Sequence, residues 1–197
     1  MPDRVPCVKV VGFRVRSGFA VAAVVDALPQ SWDVLECRRL ALAPQKGRYA
    51  RFPYHPLIEL EGPRGAAKSQ SAVADVRRVA RREVAALLTA IPRVNAAVIV
   101  GGSLIDPQSI GNPHIRVHAR EGQLFRDVIA RALHRERIKS EILSDRDVFA
   151  KVAAKLSWPE SRLRTALTQT GRGKFRPWGA DEKLALLGAL WRAPAAA

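Results

Sequence analysis

Between residues 7 and 15 apolar side chains fall on both parities of the chain: Val8, Val10 and Gly12 on one, Val11, Phe13 and Val15 on the other. A strand apolar on both faces belongs in the middle of a sheet covered on both sides. Arg14 breaks the pattern near its end. Residues 19–25 form a second such run and 34–42 a third, joined by Ser17-Gly18 and by a turn-rich segment over 26–33. Connections this short predict antiparallel neighbours, a three-stranded meander. From residue 71 the spacing changes to three and four, with Val73, Val76, Ala80, Val84, Leu87 and Ile91 on one stripe and Arg77, Arg78, Arg81 and Arg82 off it. That is an amphipathic helix stopped by Pro92. Residues 95–100 predict a buried fourth strand ending at Gly101-Gly102, and the strand–helix–strand crossover makes it parallel to an earlier one.

The segment 43–65, with four prolines, is expected to be a connecting loop with at most a short helix near 57–60. Asn112 can cap, and Pro113 open, a helix to about residue 135. Residues 138–143 predict a fifth strand. Two capping-box patterns, Ser144 to Asp147 and Ser157 to Glu160, would each start a helix, with Gly171 closing the second. A last helix is expected over 180–191. The order is βββαβαβααα, which we take as a single domain over 1–197 that includes a helical C-terminal part, 144–192.

Apolar residues make up 48% of the 197, enough for a substantial core, so the formal charge of +15 is not a mark of disorder. It favours an anionic partner, most commonly nucleic acid, through long-range attraction and counterion release. Cys7 and Cys37 are far apart and lack C-x-x-C spacing, so buried thiols in a reducing cytoplasm are expected rather than a disulfide or zinc framework. The start, MPDRVP, has no apolar leader core and the longest apolar run, 19–25, is too short for a bilayer, so no membrane is implied and a cytoplasmic location is expected.

His114, His118 and Glu121 share a helical face that Phe125 and Val128 continue. Two histidines at i, i+4 with a carboxylate nearby can hold a metal. They can equally form a polar, anion-binding cluster in which Glu121 pairs with Arg14 or Lys183, or lie on the surface. Residues 171–178, GRGKFRPW, interleave Arg172, Lys174 and Arg176 with Phe175 and Trp178; residues 46–55 repeat the grammar with Arg48 and Arg51. Cations can follow a phosphate backbone while aromatics stack on bases, although Trp178 can instead anchor its loop. Neither phosphate-loop pattern nor a G-x-S-x-G elbow occurs, which argues against a Rossmann or Walker nucleotide enzyme and a nucleophilic hydrolase.

The element order is that of the ribonuclease H-like fold, an α/β mixed five-stranded sheet flanked by helices. The opening hairpin, GFRVRSG followed by FAVAAV, resembles that of RuvC-type resolvases, and PWGADEKLALLGA resembles their closing acidic helix. The chain also resembles a bacterial family of unassigned function carrying His-x3-His-x2-Glu-Gly and Pro-Trp-x-x-Asp-x-Lys segments. In active members of the fold, carboxylates from the first strand, fourth strand and last helix hold two divalent ions about 4 Å apart. Here Arg14 stands at the first position and Gly101, Gly102 and Ser103 at the second, while Asp181 and Glu182 match the third.

The resemblance therefore implies a nucleic-acid-binding protein with an altered or lost two-metal nuclease centre. Its partner would be structured RNA or branched DNA, bound through Arg14, Arg16, Arg48, Arg51, Arg172, Lys174, Arg176 and Trp178. The guanidinium of Arg14 is expected to lie against Asp181, Glu182 or Glu121. The alternative is a metal-dependent phosphodiesterase with His118, Glu121, Asp181 and Glu182 as catalytic groups and a divalent ion (Mg, Mn or Zn) on His114, His118 and Glu121. A third reading is a subunit docking on an acidic protein partner.

Overall fold

The computed structural model describes residues 8–28 and 31–194. Its five-stranded sheet has the order β3-β2-β1-β4-β5. The strands are β1 (Val8–Arg16), β2 (Phe19–Leu28), β3 (Ser31–Ala41), β4 (Val94–Gly101) and β5 (Lys139–Ser144). β1, β2 and β3 pair antiparallel, whereas β4 runs parallel to β1 and β5 parallel to β4. The expected α/β ribonuclease H-like sheet, a meander followed by parallel strands, is therefore the one observed. Cys7 and residues 29–30 lie outside the described residues.

The two parities of β1 separate two cores. Val11, Phe13 and Val15 pack with Ile99 beneath α2 (Gly62–Ala90) and α3 (Pro113–Arg135). Val10, Val98 and Val100 pack beneath α4 (Val148–Leu156), α5 (Glu160–Thr170) and α6 (Ala180–Arg192). Removal of each of these side chains from water contributes about 1.5–3 kcal/mol, which is why the central strands carry no polar face.

Helix α6 lies unusually close to the sheet. A Cβ at Gly12 would sit 1.9 Å from the Ala185 carbonyl oxygen, and Gly188 faces the Gly12 Cα at 3.5 Å from its own Cβ position. Backbone thus meets backbone at one small-residue crossing, and the N-terminus of α6 is carried over the end of β1.

The start of α2 and the two capping boxes are corrected, whereas the short helix expected near 57–60 is present. α2 starts at Gly62 rather than near 71, because residues 66–70 favour helix without continuing the apolar stripe that the periodicity detects. The loop before it holds only one turn of helix, α1 (Pro56–Glu59). Neither proposed capping box forms: α4 starts after Asp147 with no side-chain cap, and Ser157, at φ 53°, closes α4 instead of opening α5. Asn112 does cap α3, accepting from the backbone N–H of His114 and Ile115.

Candidate nucleic-acid interface

β1 and β4 run parallel with Arg14 beside Val100, so both end at one sheet edge. Ligands of such sheets lie beyond the carboxyl ends of the strands. A cleft of about 430 Å³ opens there, walled by Arg14, Arg16, Gly101, His118, Arg126 and Asp145 among others. Gly101 makes room for one wall: a Cβ there would lie 2.5 Å from Cδ of Arg126. That arginine reaches over the strand end and donates from Nη1 to the Ser103 carbonyl at 3.2 Å. Burial lowers its pKa below the usual arginine value.

Arg14 forms the floor. It shares the α6 face of β1 and is only 2% exposed. Its Nη2 donates to Oδ2 of Asp145 at 2.8 Å, and its Nε lies 3.5 Å from Oδ1 of Asp181. Of the expected partners Asp181 is present, Glu182 and Glu121 are not, and Asp145 is new. Asp145 arrives because β5 pairs with β4 through Gly101 and Ser144, and its backbone N–H is bound to the Gly101 carbonyl at 2.8 Å. In sequence it looked like the interior of a capping box. Arg16, two residues on and exposed, grips Asp181 from Nε and Nη2 at 3.0 and 2.8 Å. One carboxylate at the α6 start thus holds two arginines of β1.

Arg16 also joins the cleft to a second groove of about 600 Å³, lined by Phe19, Arg38, Arg39, Arg176 and Glu182. Arg39 lies over the Phe19 ring, 3.5 Å from its centroid. Nε of Arg38 is buried with no hydrogen-bond partner among the described residues. Glu182 accepts from the Gly179 N–H at 2.8 Å, which ties it to the start of α6 and away from a metal-binding role at the floor. Cys37 also lines this groove; burial first, then the charges of Glu182 and Glu36, push its thiol up to about 12. A thiol held protonated in this way is a poor nucleophile.

The remaining basic candidates divide into spent and free. Arg48 pairs with Glu59 at 3.0 Å and Lys174 with Asp33 at 2.9 Å. The indole N–H of Trp178 donates to the Leu167 carbonyl at 2.8 Å and its ring packs on Gly171, so the side chain anchors its loop. Phe175 stacks on it, with centroids 5.9 Å apart. Arg51, Arg172 and Arg176 are exposed and have no acidic partner among the described residues.

On the α3 side of the cleft a different cluster forms. Glu121 is 1% exposed. Its Oε1 accepts from the Tyr54 N–H at 3.2 Å and faces Nδ1 of His55 at 2.9 Å. It therefore pairs with a histidine rather than with Arg14, while Lys183 is turned to Thr168 at 3.2 Å. His118 Nδ1 lies 3.4 Å from Glu121 Oε2, and His118 Nε2 lies 3.2 Å from His114 Nε2. Among the described residues, His55, His114 and His118 are the one group of three or more His, Cys, Asp or Glu side chains whose ligand atoms come within 4.8 Å of one another. Asp181 and Glu182 do not join it, so the four catalytic candidates are not gathered into one metal-binding group. His55 was the residue that sequence reasoning missed. It sits 59 positions before His114 inside a basic, aromatic loop, and the loop's return over α3 is a tertiary event.

The chain matches no protein-family model and no curated protein. Its fold is that of the RuvC-type resolvases. It superposes on Thermus thermophilus RuvC with a TM-score of 0.57 at 11% identity, covering 93% of this chain and 92% of that one. The T. thermophilus RuvC solved with a Holliday junction substrate gives 0.57 at 14% identity over 93% and 91%. The yeast mitochondrial Holliday junction resolvase gives 0.53 at 12% identity, covering 94% of this chain and 78% of that one. No described helix is long and apolar enough to cross a membrane.

Proposed function

We propose that this protein binds branched nucleic acid along the arginine-lined groove, and that Arg14 takes the place where active proteins of this fold gather metal ions. The observation that carries the reading is the set of arginines lining two grooves that meet at Arg16: Arg126, Arg14 and Arg16 in one, and Arg16, Arg38, Arg39 and Arg176 in the other, outnumbering the carboxylates Asp145, Asp181 and Glu182 between them. A phosphodiester backbone suits such a lining: several arginines release counterions, and an unpartnered Nε such as that of Arg38 can donate to a phosphate oxygen. Further support comes from the likeness to a resolvase solved with a Holliday junction. Arg51, Arg172 and Arg176, free of acidic partners among the described residues, extend the contact surface.

At the floor, a fixed guanidinium between Asp145 and Asp181 supplies the positive charge that divalent ions would otherwise bring to those carboxylates. The protein then holds its nucleic acid without two-metal hydrolysis. Structured RNA presents the same phosphate chemistry, so both enter the test.

Binding is measured by fluorescence anisotropy with four-way junction, duplex and single-stranded DNA and a structured RNA, with and without magnesium. We expect the junction to bind tightest, with a log–log salt slope steeper than about −3, as several phosphate contacts require. Substitution of Arg16, Arg38 and Arg176 together by alanine lowers junction affinity at least about tenfold. A shallow slope and equal weak binding to every nucleic acid would instead favour the acidic protein partner. Divalent-dependent cleavage lost in His118→Ala would favour the phosphodiesterase.

A further inference from the structure

We infer that His55, His114 and His118 form a three-histidine site for a zinc ion, with Glu121 as the buried carboxylate that orients them. The site differs from the one the sequence suggests: His55 enters as a ligand and Glu121 leaves the coordinating set. It does not depend on nucleic-acid binding.

The first argument is tautomeric. Glu121 is 1% exposed, and its Oε1 faces Nδ1 of His55 at 2.9 Å while its Oε2 lies 3.4 Å from Nδ1 of His118. An ionised carboxylate accepts hydrogen bonds and does not give them, so the bond to His55 places that ring's proton on Nδ1, and the 3.4 Å approach to His118, an electrostatic contact rather than a hydrogen bond, favours the same tautomer there. Both Nε2 atoms are left as lone-pair donors. One carboxylate thereby prepares two imidazoles for a metal, the arrangement in which a second-layer acid fixes ring orientation and raises ligand basicity.

The second argument is geometric. With Zn–N bonds of about 2.05 Å at tetrahedral angles, two ligand nitrogens stand about 3.3 Å apart. His114 Nε2 and His118 Nε2 are 3.2 Å apart, and a ligand nitrogen of His55 is within 4.8 Å of both. The helix supplies the first pair through i, i+4 spacing, and the 52–55 loop brings the third ring across, with His55 and His118 centroids at 4.9 Å. Phe52 packs against both rings, at 4.9 Å from His55 and 6.1 Å from His118, and restrains them.

The third argument is the orphaned atom. Glu121 Oε2 is buried with no hydrogen-bond partner among the described residues, a costly state for a carboxylate. Drawing His118 onto an ion strengthens its Nδ1–H as a donor toward that oxygen. Three neutral imidazoles are a borderline-soft set that suits zinc better than magnesium, and they leave one tetrahedral position for water. His118 also lines the cleft, so the ion would add positive charge at its rim.

The test uses the full-length chain, stripped with a chelator and titrated with Zn2+ against a chromophoric competitor. We expect one Zn2+ per chain, bound tighter than about micromolar. Co2+ in its place should give the intense visible absorption of a four-coordinate site. His114→Ala and His118→Ala, at exposed positions, should keep the apo melting temperature and lose both signals. Glu121→Gln should weaken binding about tenfold to a hundredfold and shift the Co2+ spectrum, with Glu121→Asp restoring part of the affinity. Substoichiometric binding, or binding that survives both histidine substitutions, overturns the inference. So does a six-coordinate Co2+ spectrum.

Discussion

Arg14 and Glu121 are buried charges within the same corner of the fold, and they are met by their neighbours in opposite ways. Arg14 is a fixed cation, held by Asp145 and Asp181, carboxylates that remain about a quarter exposed. Glu121 is a fixed anion, surrounded by the N–H of Tyr54 and by imidazoles. A guanidinium only donates, so the first arrangement offers no lone pair from its buried member, and an incoming metal ion meets like charge. An imidazole that gives one nitrogen to a carboxylate presents the other as a lone pair, so the second is open. The contrast teaches that burying a charge does not by itself define a ligand site. What matters is whether its partners have any bonding capacity left.

The sharpest way to break the comparison is Arg14→Asp. Three carboxylates would then face one another at the floor, and the fold should lose about 3–5 kcal/mol without metal, as for a buried pair with one member removed. Part of that loss should return on adding Mn2+, read as a rise in melting temperature that wild type does not show. No Mn2+ response would mean that the guanidinium is not standing in for an ion.

Gly12→Ala attacks the device that brings Asp181 to Arg14. The new methyl meets the Ala185 carbonyl, and backbone cannot step aside as a side chain can. We expect a loss of about 3 kcal/mol, at the upper end of overpacking costs, with a smaller urea midpoint. A change under about 0.5 kcal/mol would contradict the close crossing.

Asp145→Asn should cost less, about 1–2 kcal/mol, because Asp181 still faces the arginine and Asp145 is itself partly exposed. By contrast, His118→Ala should change apo stability by no more than about 0.5 kcal/mol, since His118 is exposed. If His118 proved as costly as Asp145, the two clusters would be alike in kind.

The smallest effect concerns Cys37. Its thiol is raised from near 9 to about 12, so the folded form keeps a proton that the unfolded form loses. Its contribution is present below pH 9 and declines as pH rises toward 12. At pH 9, alkylation of Cys37 followed by peptide mass spectrometry should be at least about tenfold slower in native than in urea-unfolded protein. Equal rates would show that the groove beside α6 is open to solvent.

Much of the framework could be read along the chain. The two-sided apolar pattern of residues 8–15 identified a central strand, the switch to helical spacing after residue 71 identified the crossover, and Arg14 stood out because it interrupted an apolar run. These are local signals, set by the period of the backbone. The start of α2 escaped because helix-favouring residues without an apolar stripe leave no periodic trace. The capping patterns misled because Ser and Asp serve turns and helix ends alike.

What the sequence determined by itself was which faces are buried, since that depends only on side-chain parity; that a cation and an acidic helix start meet near the end of β1 was implied by the resemblance to the ribonuclease H-like fold. Tertiary structure decided the partners. Asp145 reaches Arg14 only through the parallel pairing of β4 with β5, and His55 reaches Glu121 only because a proline-rich loop folds back over α3. Contacts 131 and 66 residues apart carry no local periodicity, because they are fixed by packing of whole elements rather than by the conformational preferences of neighbours.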